Sequence, residues 1–254
     1  MTIESQVRTY RQSECISFRS TREEFGGLSN MAGGFPLWVS KIMAPSAEAL
    51  YQASRFPNHP KIQELILRQH SPMTAKMVTK PHLNQTRPDW MRIRVRVMRW
   101  VLRIKLATHW LRFGNLLLRT GDKPIVEDSR KDNFWGALRQ EDGTLIGMNI
   151  LGRLLMELRE ELRGPCKDAL LVVSPPPIPD FLLLGNPIEQ VGYNASKQAV
   201  DPDTAPTDGM LWDASLDELG LNGEAEESSL GVETFDTETE QAENRGCGMR
   251  YPKR

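Results

Sequence analysis

The sequence predicts an α+β fold: a mainly helical single domain with a small β-sheet, followed by a largely disordered acidic tail. Three observations predict it. Apolar residues recur at helical spacing in four stretches, while strand-like runs are short. No Gly/Ser/Pro-rich linker interrupts residues 15–163, and Gly164-Pro165 then stops the block. From Asp201 to Asn244 there are 14 Asp/Glu and no Lys/Arg, with few apolar side chains to fold around. The division is therefore 1–14 as an N-terminal extension, 15–164 as the folded domain, 165–197 as a proline-rich extension and 198–254 as the tail.

The elements follow in order. Short strands are expected at 16–18 and 36–39. A helix opens at Pro45-Ser46, where Ser46 is a good N-cap and Glu48 lies in the dipole-favoured first turn. Glu48, Gln52 and Arg55 then share one face at i, i+4 and i+7. A second helix covers 60–69. A third starts at Pro88-Asp89 and runs to about residue 113. Residues 92–97 alternate as a strand would. Over the longer window the helix wins, because Val95, Met98 and Leu102 make an apolar stripe. Arg92, Arg96, Arg99 and Arg103 make a basic stripe on the same helix. The fourth helix spans 149–162, with Leu151, Leu154, Leu155, Leu158 and Leu162 on its core face. Residues 170–173 fit a strand, and the proline run 175–179 favours polyproline II. With the apolar cluster at 181–184, this extension either packs back on the domain or grips a partner.

Composition narrows the function. Apolar residues at 39% can build a core. No apolar run approaches the roughly 20 residues that span a bilayer, and residues 1–14 lack a signal-like apolar stretch. No membrane contact and a cytoplasmic location are expected. The three cysteines are far apart, so no disulfide framework is expected. There is no HExxH, no zinc-spaced cysteine pair, no GxGxxG and no Walker pattern, so neither a metal nor a cofactor is expected. Residues 1–200 hold 28 Lys/Arg against 19 Asp/Glu. A basic body with an acidic tail points to polyanionic partners.

Four segments carry a family resemblance. They are Phe25-Gly26-Gly27-Leu28-Ser29-Asn30; the helix Pro45 to Phe56; Asp89-Trp90 before a basic helix; and a long stretch from Thr120-Gly121-Asp122 through Val126-Glu127 and Asp132-Asn133-Phe134-Trp135-Gly136 to Gly147-Met148-Asn149 and Arg159. In order and spacing, residues 16–163 resemble the NADAR (YbiA-like) family. The resemblance implies a YbiA-like fold and N-glycosidase activity on nucleotide-like substrates. One branch of the family cleaves phosphorylated pyrimidine intermediates of riboflavin synthesis. Another removes ADP-ribose from guanine in nucleic acid, with some members acting as antitoxins beside a DNA ADP-ribosyltransferase.

Carried over by position, the resemblance implies Glu48 and Asp132 as catalytic carboxylates and Trp90 and Trp135 as base-binding rings. Cleaving a ribosyl C1–N bond builds positive charge on the sugar, which a carboxylate stabilises. A base stacks on a flat indole. Trp90 and Trp135 sit at polar loop–helix junctions, whereas Trp38, Trp100 and Trp110 read as core. Ser29, Asn30, Gln52, Arg55, Gly136 and Asn149 are expected to bind substrate or shape its turns. The bland alternatives are a dipole partner for Glu48, a turn cap for Asp132 and a solvated face for the arginine stripe. Two positions depart from the family pattern: Ala49 stands where many members have His, and Arg55 where many have Lys. Arginine stays protonated and is a poor Schiff-base former. Any lysine nucleophile must come from Lys76 or Lys80.

The favoured function is removal of ADP-ribose from guanine bases of DNA. The basic body, the Ala49 and Arg55 variants and the C-terminal appendage favour it. The expected partners are ADP-ribosylated DNA or nucleotide, contacted by Arg92, Arg96, Arg99 and Arg103, and a partner toxin that is a DNA ADP-ribosyltransferase. The alternatives are cleavage of a ribosylaminopyrimidine phosphate and a non-catalytic ADP-ribose-binding module. The last has no need of both Glu48 and Asp132.

Overall fold

The computed structural model describes residues 6–193. A five-stranded sheet and six α-helices form one α+β domain, as the sequence predicts. The predicted tail lies outside the described residues.

The sheet runs β1 (Arg8–Arg11), β7 (Thr144–Gly147), β6 (Ala137–Arg139), β5 (Ile125–Ser129), β2 (Ile16–Phe18). β5 pairs in parallel with β2 and β6, while β7 pairs antiparallel with β6 and β1. The sheet therefore begins inside the segment read as an N-terminal extension, since Tyr10 is buried opposite Leu145. Successive β5 side chains alternate between faces. Asp128 is buried and anchors Arg19 and Arg139. Its neighbour Glu127 projects to the opposite side.

β3 (Leu37–Val39) and β4 (Ile42–Ala44) form a hairpin leading into α1 (Ala47–Ala53). α2 (Pro60–Leu67) and α3 (Pro72–Thr79) pack on α1. α3 escaped the sequence reading because it is short and mixed in composition, opening on Pro72.

The long basic helix is two helices, α4 (Trp90–Thr108) and α5 (Trp110–Arg119). The break falls at His109, whose backbone leaves helical geometry at φ −124°, ψ 51°. Its Nε2 donates to the Pro36 carbonyl at 2.8 Å, and its ring meets Phe35 edge-on. α4 is the core axis, burying Ile93, Val97, Trp100, Val101 and Ile104. α6 (Ile150–Arg163) buries the predicted leucine face. Trp38, read as core, is 40% exposed on β3, because Leu37 and Val39 point inward and it points out.

The proline-rich extension packs back on the domain as far as it is described. Phe181 meets Trp100 edge-on at 5.1 Å. Gln63 is fully buried; its amide donates to the Leu182 carbonyl at 2.9 Å and accepts from the Leu184 N–H at 2.7 Å. Leu183, Ile188 and Val191 join the core.

Candidate active site

The start of α1 is fixed by its cap. Ser46 is extended and its Oγ accepts from the Ala49 N–H at 3.1 Å. Glu48 thereby falls in the first turn, and its own N–H donates to the Asn30 carbonyl. Glu48 is 7% exposed, so the partners of its carboxylate matter. Oε1 accepts from Gln52 Nε2 at 2.8 Å, and Gln52 Oε1 accepts from Arg55 Nη1 at 3.3 Å. The i, i+4, i+7 face read from the sequence is a buried hydrogen-bonded row. Arg55 ends it over the Trp90 ring, 5.3 Å from the centroid.

An aromatic wall joins this row to the β5–β6 loop. Tyr51 lies 5.0 Å from Trp90 and meets Trp135 edge-on at 5.6 Å. Phe134 meets Trp135 edge-on and carries the Arg94 guanidinium on its face at 3.7 Å. Trp135 is half-buried, which leaves part of its surface for a ligand. Trp90 is 3% exposed and packed under Tyr51 and Arg55. It supports the wall and offers no open stacking face, contrary to its expected role as a base-binding ring.

Asp132 is exposed, and its Oδ1 accepts from the Phe134 and Trp135 N–H groups at 2.9 and 2.8 Å. That is turn-cap geometry, and it sets the direction in which Trp135 leaves the loop. The charge of Asp132 still acts on the site through a residue the sequence reading assigned no role.

That residue is Glu127. Burial pushes its carboxyl up to about 8, the negative charges of Asp132 and Glu48 add to the rise, and Lys76 opposes it. Glu48, Glu127, Asp132 and Lys76 thus belong to one electrostatic cluster built from α1, β5, the following loop and α3. A carboxyl lifted to about 8 holds its proton at neutral pH. The signal in the sequence was an acidic residue following the apolar pair Ile125-Val126 of a short strand. Lys80 is exposed at the end of α3, and Lys76 is the lysine whose charge reaches Glu127. Among the described residues no group of three or more His, Cys, Asp or Glu could hold a metal ion.

Several residues expected to bind substrate are spent on the backbone. Asn149 is 0% exposed at φ 49°. Its Nδ2 donates to the Ile125 carbonyl at 2.8 Å and its Oδ1 accepts from the Glu127 N–H at 3.2 Å. Gly136 cannot carry a side chain, since a Cβ there would lie 2.6 Å from the Glu127 carbonyl. Both residues position Glu127. Ser29 is buried, and its Oγ accepts from the Met31 N–H. Asn30 is buried with Nδ2 on the Met98 sulfur, while its Oδ1 has no hydrogen-bond partner among the described residues.

The arginine stripe is also redirected. Arg99 grips both Glu157 oxygens at 2.9 and 3.2 Å, and Arg103 pairs with Glu161 at 2.7 Å. These two bind α4 to α6 and are not an open phosphate track. Arg92 and Arg96 are exposed.

Known proteins resemble this chain in sequence and fold. The NADAR domain profile matches residues 17–163. The N-glycosidase YbiA of Escherichia coli is 35% identical over 156 residues, 61% of this chain and 93% of that protein. Its NMR structure superposes with a TM-score of 0.52, at 36% identity, over 61% of this chain and 88% of that one. A riboflavin biosynthesis protein of Vibrio vulnificus is 36% identical over 159 residues, 62% of this chain and 41% of that protein. By its profile match over residues 17–163 and its YbiA-like fold, this chain belongs to the NADAR family.

Proposed function

We propose that this protein is an N-glycosidase that hydrolyses the bond between ADP-ribose and a guanine base of DNA, reversing the modification. The observation that carries N-glycosidic hydrolysis is the pairing of unlike carboxyls. Glu127 is held as an acid to about pH 8, while Glu48 and Asp132 act on it as negative charges. A carboxyl kept protonated beside negative charge can serve as the acid.

The assigned roles follow. Guanine stacks on the open part of Trp135, above Tyr51 and Phe134. Glu127 donates its proton to the leaving nitrogen as the C1–N bond breaks, with the electron pair going to the base. The positive charge left on the ribose is stabilised by the Glu48 carboxylate. Water then adds to C1, and its proton returns to the carboxyl cluster. In the variant with a lysine nucleophile, the Lys76 amine displaces the base at C1, the ribose C1–O4 bond opens to give an imine, and water later hydrolyses that imine to free the lysine. Borohydride would trap that imine on Lys76 and would trap nothing in a Lys76→Arg protein.

The basic body, with 28 Lys/Arg against 19 Asp/Glu over residues 1–200, and the Ala49 and Arg55 variants favour ADP-ribosylated DNA or nucleotide as substrate. The pairing of Arg99 and Arg103 with α6 leaves Arg92 and Arg96 for phosphate contact. The acidic tail fits a basic partner such as a DNA ADP-ribosyltransferase toxin. A second reading, cleavage of a ribosylaminopyrimidine phosphate, is favoured by the riboflavin biosynthesis relative. Incubation with both substrates separates them: free guanine-containing DNA and ADP-ribose from the first supports the proposal. Turnover of the pyrimidine substrate alone supports the second. Binding of ADP-ribose without turnover of either would leave a binding module.

A further inference from the structure

α4 carries five arginines, and one of them faces inward. Arg92 and Arg96 are exposed, while Arg99 and Arg103 pair with Glu157 and Glu161 on α6. Arg94 lies two residues from Arg92 and from Arg96, about 200° around the helix from each. It is buried, 8% exposed, and its guanidinium carbon lies 3.7 Å from the centre of the Phe134 ring. Taking a guanidinium out of water is unfavourable, and stacking on a ring face offsets part of that cost.

The stack bears on Trp135. Asp132 Oδ1 accepts from the Phe134 and Trp135 N–H groups, which holds the loop backbone. The side-chain torsions of Trp135 are left to be set by whatever touches the indole. Tyr51 and Phe134 both meet it edge-on, at 5.6 and 5.0 Å. Tyr51 is fixed by the core: it is 5% exposed on α1 and lies against Trp90. Phe134 belongs to the same loop as Trp135 and is only half-buried, so it braces its neighbour only if it is held itself. Arg94, one turn beyond Trp90 on α4, lies on its face. Two successive turns of α4 thus back the two rings that flank Trp135.

We infer that Arg94 is a positioning residue for base binding: acting through Phe134, it holds the Trp135 indole in the orientation that takes the base, which rests on the stacking role given to Trp135 above. A ring already ordered in the free protein loses less freedom when substrate arrives, so the brace tightens binding. It serves the bound substrate and the transition state alike. Its removal therefore shows in KM more than in kcat.

The test compares the full chain with Arg94→Met, Arg94→Lys, Phe134→Leu and the Arg94→Met/Phe134→Leu double variant. Each protein carries fluorotryptophan, with the Trp135 line of the fluorine NMR spectrum assigned from Trp135→Phe. Turnover is measured on an oligonucleotide bearing ADP-ribosylated guanine. In Arg94→Met the Trp135 line should shift or broaden with no substrate present. KM should rise about tenfold, with kcat lowered by no more than about threefold. Arg94→Lys should recover part of both, since it keeps a cation over the ring but not a flat guanidinium. The double variant should have a KM no worse than the worse single variant, which separates action through Phe134 from any other contact of the guanidinium. An unmoved Trp135 line, an unchanged KM or additive losses in the double variant would each overturn the inference. Should Arg94→Met fail to fold, Arg94→Lys and Phe134→Leu carry the same readouts, and wild-type values in both overturn it. The two readings fail separately. If the wild type does not hydrolyse the oligonucleotide, the function falls, and the Trp135 line, read without substrate, still decides the brace.

Discussion

Asn149 holds Glu127 by the backbone, its Oδ1 accepting the Glu127 N–H at 3.2 Å while its Nδ2 donates to Ile125 two residues earlier. The contact crosses from the start of α6 to β5, and it requires the left-handed turn at residue 149, φ 49°. Asn tolerates that conformation better than most residues. Gly152 permits it, since any side chain there would strike the Asn149 amide. The residue that looked like a ligand contact is the clamp that aims the acid.

Removing the clamp should therefore cost stability and turnover together. Asn149→Ala loses two buried hydrogen bonds and strains the turn, and should destabilise the domain by about 2–4 kcal/mol in thermal or urea unfolding. Asn149→Gly relaxes the turn but not the clamp. It should recover part of the stability while kcat stays low. Full turnover in Asn149→Gly would show that Glu127 needs no positioning.

Glu48→Gln keeps the shape of the α1 row, because an amide oxygen can still accept from Gln52 Nε2. The change removes charge where the ribose becomes positive. We expect kcat to fall about 100-fold or more, with Tm within about 2 °C of wild type. Unchanged turnover would reduce Glu48 to a dipole partner of α1.

This row shows what was legible. Ser46, Glu48, Gln52 and Arg55 fix their own geometry by helical spacing, so the sequence suffices. Glu127 was hidden because its environment is assembled at long range. β5 gains its place from strands at Ile16–Phe18 and Ala137–Arg139, and its neighbours Glu48 and Lys76 come from two helices. The break at His109 was hidden for the same reason: Pro36, its partner, lies 73 residues away. Ser29 and Asn149 are polar residues in loops, and sequence cannot tell which of those spend their side chains on the backbone.

A different residue should add its own pH dependence to stability. Lys105 is fully buried, donates to the Gly27 and Ser29 carbonyls at 2.7 and 3.0 Å, and lies 4.5 and 4.6 Å from the Phe35 and Phe113 ring centres. Burial, with Arg112 nearby, lowers its amine from 10.5 to about 7. The folded state gives up this proton near pH 7 and the unfolded chain near 10.5, so this residue stabilises increasingly as pH rises between them. Lys105→Met strands two carbonyls and removes that titration. It should destabilise by about 1–3 kcal/mol, more at pH 9 than at pH 6. A deficit larger at pH 6 would contradict the assignment.

The α4–α6 ion pairs make the arginine stripe separable. Arg99→Glu with Arg103→Glu sets like charges against Glu157 and Glu161 and should lower Tm by about 2–6 °C. Arg92→Glu with Arg96→Glu should leave Tm alone. If the exposed pair meets phosphate, it should weaken binding to modified DNA and flatten the salt dependence by about two phosphate contacts. An unchanged salt slope would make that face a solvated one.

The most direct test is the pH profile of kcat/KM for N-glycosidic hydrolysis, wild type beside Glu127→Gln. Glu127 must carry a proton to donate it, and its carboxyl is lifted to about 8. Wild-type activity should hold through neutrality and fall as pH rises through about 8. Glu127→Gln should lose most activity, about 100-fold or more, and with it that alkaline limb. It should also be the more stable protein above neutral pH. The folded wild type pays for a buried charge once Glu127 ionises, whereas the unfolded chain ionises it near 4.5. A Glu127→Gln protein with wild-type turnover and an unchanged alkaline limb would contradict the account.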